Sequence, residues 1–184
     1  MQDVLEQLMF LGVEELNGFQ YFMSFSSTWE QGEWWRLVTP MFLHFSLLHI
    51  VFNLLWVWEI GRRIELINSS LVLFFLVIGS SVLANIMQYL LFGPSLFGGM
   101  SGVVFGMLGH SFLWDRIMPS RKLGIPNAIY VFMLVYLLVG FTGVIDLFGQ
   151  GSLANGAHLG GLLAGVFTGG LTGFLSKYTQ SGRS

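Results

Sequence analysis

The chain has 184 residues, of which 54% are hydrophobic and 10% charged, with a formal net charge of −2; soluble domains carry roughly 25% charged residues. A mean hydropathy of +0.70 points to lipid as the solvent, because a soluble domain this small cannot hide so much apolar surface. The absence of cysteine excludes disulfides, a thiol nucleophile and any Cys-ligated metal, and the near-neutral charge gives no support for nucleic-acid binding.

In chain order, residues 1–40 contain no span and are read as an external amphipathic loop region. They mix Phe19, Tyr21, Phe22, Phe25, Trp29, Trp34 and Trp35 with acids, a combination suited to the membrane–water boundary. No basic segment followed by an apolar run opens the chain, so no signal peptide is expected. Residues 41–178 form the membrane core, with apolar stretches at 42–60, 69–91, 101–114, 128–147 and 155–175. Residues 179–184 are a cytoplasmic tail. The expected architecture is an all-α polytopic membrane protein, a helical bundle with five transmembrane helices.

Basic residues orient that bundle. Arg62, Arg63, Arg116, Arg121, Lys122, Lys177 and Arg183 all fall on one side, and Arg36 alone falls on the other. By the positive-inside rule the larger group is cytoplasmic, and the basic loop 116–122 is first a determinant of topology. Glu59 has Arg62 and Arg63 within helical pairing distance. Asn85 and Gln88 on the second span read as interhelical hydrogen-bonding groups.

The third span is too short. Ser101 to Trp114 covers about 21 Å at ~1.5 Å per residue, against a hydrocarbon core of about 30 Å. Asp115 and Arg116 fix its cytoplasmic end, so Ser101 starts below the external surface and residues 92–100 must dip into the membrane. Irregular backbone survives at that depth only when protein buries it or water reaches it. A wet cavity with a serine at its floor follows.

Three clusters carry chemistry. In Gly98-Gly99-Met100-Ser101-Gly102 the serine is either a helix N-cap or a nucleophile aided by the positive helix end. In Asn155-Gly156-Ala157-His158-Leu159-Gly160-Gly161 the histidine is either a structural hydrogen-bonding group or functional, as ionisable groups inside membranes usually are. Gly161, Gly165, Gly169 and Gly173 repeat every four residues, as do Gly102 and Gly106, so two helices can pack closely and bring Ser101 to His158. No acid stands near His158 in sequence, which suggests a dyad. In the run His44 to Asn53, His49 and Asn53 share a helix face, about 20 Å above the cytoplasmic boundary, and suit an oxyanion site. A metal site from His44, His49, His110 and His158 is the rival reading, but His110 falls at least two turns below Ser101. Gln150-Gly151-Ser152 is a link that could cap the cavity.

These clusters together resemble the signature of the rhomboid intramembrane proteases, of the bacterial GlpG type, over about residues 28–178. Trp35-Arg36 is similar to the family's external-loop motif, the His44–Asn53 run to its second-helix motif, Gly99-x-Ser101-Gly102 to its nucleophile motif, and Ala157-His158-x-x-Gly161-x-x-x-Gly165 to its base helix. The resemblance implies Ser101 as nucleophile and His158 as general base, with His49, Asn53 and the Ser101 N–H binding the oxyanion. It implies structural roles for Glu65, Arg36 and His44, no cofactor and no metal. Transmembrane protein substrates would be cut near the outer boundary of a bacterial inner membrane, through a cavity open to the periplasmic side. Two departures stand out: the first of the family's six helices has no counterpart here, and Phe105 stands where a tyrosine is usual. A non-catalytic rhomboid-like binder and a small transporter are the alternatives. Ser101 and His158 are both present, against the first. Paired midplane charges and an inverted repeat are not found, against the second.

Overall fold

The structure, a computed structural model, describes residues 2–144 and 153–181. The end of the fourth expected span (145–147), the link Gln150-Gly151-Ser152 and Arg183 lie outside the described residues. Among those described, the order is α1 (Gln2–Leu8), β1 (Val13–Leu16), β2 (Phe19–Phe22), α2 (Phe25–Glu30), two single 3₁₀ turns (Trp34–Leu37 and Thr39–Phe42), α3 (Leu47–Ile67), α4 (Ser70–Phe92), α5 (Ser101–Ile117), α6 (Asn127–Gly140) and α7 (Asn155–Ser181).

The all-helical expectation needs one correction. Strands β1 and β2 pair antiparallel, Val13 opposite Phe22 and Leu16 opposite Phe19, across the dipeptide Asn17-Gly18. Both turn residues have positive φ, 54° and 79°, the backbone that a two-residue hairpin turn demands and that Asn-Gly accepts most readily. This amino-terminal segment packs on the bundle through Phe10 and Leu11, which are buried with Phe97. Phe25 stacks on both Phe10 and Tyr89.

The first apolar stretch becomes helical later than position 42. Thr39–Phe42 forms a 3₁₀ turn with Pro40 as its second residue, and Leu43 is extended. Ser46 then caps α3, its Oγ accepting from His49 N at 3.2 Å, so the helix begins at Leu47. At its far end the Arg63 guanidinium binds Glu59 one turn earlier and donates to the carbonyls of Leu123 and Gly124. Asp115 accepts from the backbone N–H of the same two residues. The loop after α5 is therefore tied down from two helices.

Helix α5 is the axis of the bundle: Gly102 through Ser111 are all buried, and Trp114 with them. It packs against α3, α4 and α7, closest of all against α7. Among the described residues, and on length and apolarity alone, two helices suffice to cross a bilayer, Ser70–Phe92 and Asn155–Thr179, while Asn127–Gly140 is a shorter apolar helix. At 17 residues, α5 is about 26 Å long, still short of a ~30 Å hydrocarbon core. Leu90, Phe132, Phe167 and Phe174 project outward with more than 60% of their surface exposed. Such an exterior is at rest only in an apolar medium.

Candidate active site

The site begins with the close approach of α5 and α7. A Cβ added at Gly161 would overlap the carbonyl of Gly102, and one at Gly165 would overlap that of Gly106. Gly102 in turn faces Ala84 and the Ala157 carbonyl. Two backbones at that separation gain van der Waals contact along their whole length, the main attraction between helices in lipid. The start of α7 is also held from α4, where the Gln88 Oε1 accepts from Ala157 N at 3.2 Å.

That packing brings the Ser101 Oγ to 2.9 Å from the His158 Nε2. Ser101 does not cap its helix. It is the first helical residue; Met100 occupies the cap position and makes no side-chain capping bond, so the hydroxyl is directed to the imidazole. His158 is 2% exposed. Phe105, one turn beyond Ser101, stacks on the imidazole with centroids 4.7 Å apart and planes at 25°. Tyr136 from α6 approaches the same ring at 5.8 Å. Sequence reasoning passed over Tyr136, whose only signal was a polar tip in the middle of an apolar span.

The polar residues of α3 reach the same place. A Cβ at Gly99 would lie 2.7 Å from the His49 Cε1 and 3.5 Å from the Asn53 Nδ2, so both side chains crowd the backbone two residues before the serine. Gly99 has φ +113° and donates its N–H to the Pro40 carbonyl at 2.9 Å. Glycine alone meets both demands, an unusual dihedral and no room for a side chain. His44 adds a feature that its spacing does not reveal. Its Nε2 lies 3.0 Å from the Asn53 Nδ2, and its Nδ1 lies 3.2 Å from the Phe42 carbonyl. With Nδ1 donating to that carbonyl, Nε2 accepts from the amide and fixes which way Asn53 points.

Beside Ser101 a cavity of about 10 Å³ is lined by Ser81, Asn85, Gly99 and Ala157 among others; one water fills such a volume. Ser81 Oγ and Asn85 Nδ2 donate to the carbonyls of Val38 and Leu37, tying α4 to the 3₁₀ turns.

The remaining sequence candidates lie outside this cluster. Arg36 is buried, its Nε 2.6 Å from Glu33 Oε2 and its NH1 donating to the carbonyls of Glu6 and Met9. Trp35 Nε1 donates to the Gln7 carbonyl, and Glu65 accepts from Ser70 Oγ at 2.7 Å between α3 and α4. Of the four histidines weighed as metal ligands, His44 and His49 stay within the cluster, their rings edge to face at 4.9 Å. His110 instead lies beside Thr168 with its ring parallel to that of Trp114. Among the described residues no three His, Asp or Glu side chains are arranged to hold a metal ion.

The family model described as a rhomboid domain matches residues 31–174. Among curated proteins, the chain is 43% identical over 134 residues to a protein named Rhomboid protease GlpG from Photorhabdus laumondii, a match covering 73% of this chain and 46% of that protein. It is 42% identical over 132 residues to the protein of the same name from Serratia proteamaculans, and 39% identical over 132 residues to that of Yersinia pestis, each covering 72% of this chain and 46% of the relative. The chain thus spans about half the length of the curated relatives it matches.

Proposed function

This chain belongs to the rhomboid family, of the bacterial GlpG type, and we propose that it is an intramembrane serine endopeptidase working through a Ser101–His158 dyad. It is a membrane protein. In this proposal α3 to α7 are its five spans, with the Ser101 end of α5 toward the periplasmic side of the inner membrane. The observation that carries the proposal is the 2.9 Å separation of Ser101 Oγ and His158 Nε2 at the start of a helix too short to reach the surface.

The chemistry follows from that separation. Neutral His158 accepts the hydroxyl proton at Nε2 as Ser101 Oγ attacks the scissile carbonyl. Negative charge then develops on an oxygen near Gly99, against which the His49 ring and the Asn53 amide lie, and these two with the Ser101 backbone N–H act as its donors. Donors fixed in place before the reaction stabilise that charge without reorganising. His158 returns the proton to the leaving amine, and water entering from the polar side releases the acyl-enzyme. Phe105 and Tyr136 hold the imidazole plane while this happens. Substrates are transmembrane segments of other proteins, unwound near the outer boundary, since a helical backbone has no free carbonyl to offer.

The test is incubation of the purified protein with a labelled single-span substrate in lipid, alongside Ser101→Ala. Cleavage by the parent alone is expected; equal cleavage by Ser101→Ala would remove the serine from the reaction.

A further inference from the structure

A second cavity lies on the other side of Phe105. It is a half-open groove between α5, α6 and α7, holds about 290 Å³, and runs from Phe105 and Leu137 at the dyad end to Phe112 and Tyr130 at the opposite end, with Leu134 and Val166 between. Along α5 that is seven residues, about 10 Å. Its volume is at the lower edge of ligand pockets, roughly 300–1,000 Å³. Its accessible walls are hydrocarbon, the Tyr130 ring among them, while the Tyr130 hydroxyl is buried without a hydrogen-bond partner. The mouth beside Phe112 is cationic. The Arg116 guanidinium lies 3.3 Å over the Phe112 ring.

We propose that this cavity binds one anionic phospholipid. An acyl chain fills the space between α5, α6 and α7, and the phosphate sits on Arg116. The order of the two features matches a phospholipid read from tail to head: apolar slot, then cation. A free phosphate would have no use for the slot, and a neutral lipid none for the guanidinium. The inference uses the membrane setting of the family and is independent of the hydrolytic reading. Because Phe105 walls both the cavity and His158, the bound chain lies one ring from the dyad.

The experiment is native mass spectrometry of the full chain, delipidated in detergent and then titrated with phosphatidylglycerol or phosphatidylcholine. One tightly retained phosphatidylglycerol is expected, preferred at least fivefold over phosphatidylcholine. Arg116→Gln should erase the preference, and Val166→Phe, which fills the slot, should abolish retention of both lipids. Ser101→Ala should retain lipid as the parent does, so failure of the protease reading is distinguishable from failure of this one. Equal retention of the two lipids by the parent, or undiminished retention by a folded Val166→Phe protein, would overturn the proposal.

Discussion

The carbonyl of Gly102 lies where a Cβ on Gly161 would have to be. One residue before the first glycine stands Ser101, and three before the second stands His158. The spacing of the proposed dyad is therefore set by a backbone contact rather than by the side chains themselves. Gly161→Ala must push α7 away from α5, and overpacking of this kind costs about 1–3 kcal/mol. Labelling by a serine-reactive fluorophosphonate should fall at least tenfold, with a lowered unfolding temperature in detergent. Gly173→Ala is the control. There the new methyl meets the Ile117 side chain at 3.1 Å, which can shift, and labelling should be nearly parental.

The oxyanion donors make a graded prediction. Asn53→Ala and His49→Ala should each lower kcat by about 10²–10³, the usual cost of removing one such donor. His44 acts through Asn53, so His44→Ala should cost about tenfold, one ordinary hydrogen bond, and almost nothing when Asn53 is already alanine. A double-mutant cycle on kcat measures this. Additive losses would mean that His44 does not position the amide.

Much of this arrangement was legible in the residues because membrane burial makes polar groups conspicuous. Ser101, His158, His49 and Asn53 stand out against apolar spans, and glycines four apart announce which helix faces meet. The depth of Ser101 came from counting residues, though α5 runs three residues past the expected end, to Ile117, because no helix-breaking residue stops it at Trp114. What stayed hidden depended on tertiary placement. Nothing in the spacing of His44 ties its ring to the Asn53 amide, since the two are joined across a capped helix start. Tyr136 reaches His158 from a helix whose register against α5 the sequence does not specify. The hairpin was missed for another reason: its Asn-Gly turn is a strong local signal, overlooked in a segment read for membrane spans.

Phe105 tests whether a ring or a hydroxyl is needed beside the imidazole. Aromatic stacking is worth about 0.5–1.5 kcal/mol, so Phe105→Ala should lower kcat roughly two- to tenfold by releasing the His158 ring. Phe105→Tyr keeps the ring and should cleave within twofold of the parent. A large gain from the tyrosine variant would show that the hydroxyl, and not stacking, governs the rate.

Arg36 supports a different property, the seating of the amino-terminal segment. Its buried guanidinium joins Glu33 to the carbonyls of Glu6 and Met9, beside the bond from Trp35 Nε1 to the Gln7 carbonyl that links the same two turns of chain. Truncating one partner of a buried charged network leaves the others desolvated and unpaired, at about 3–5 kcal/mol. Arg36→Ala should therefore expose α1 and the hairpin to limited proteolysis and speed their amide exchange. Arg36→Lys should rescue only in part, because an ammonium cannot reproduce the planar fork that serves three acceptors. The dyad itself rests on α5 and α7, so fluorophosphonate labelling of Ser101 should persist in both variants. Loss of labelling in step with loosening of residues 2–36 would instead mean that this segment holds the loop at Phe97 and Gly99 in place, and through it the serine.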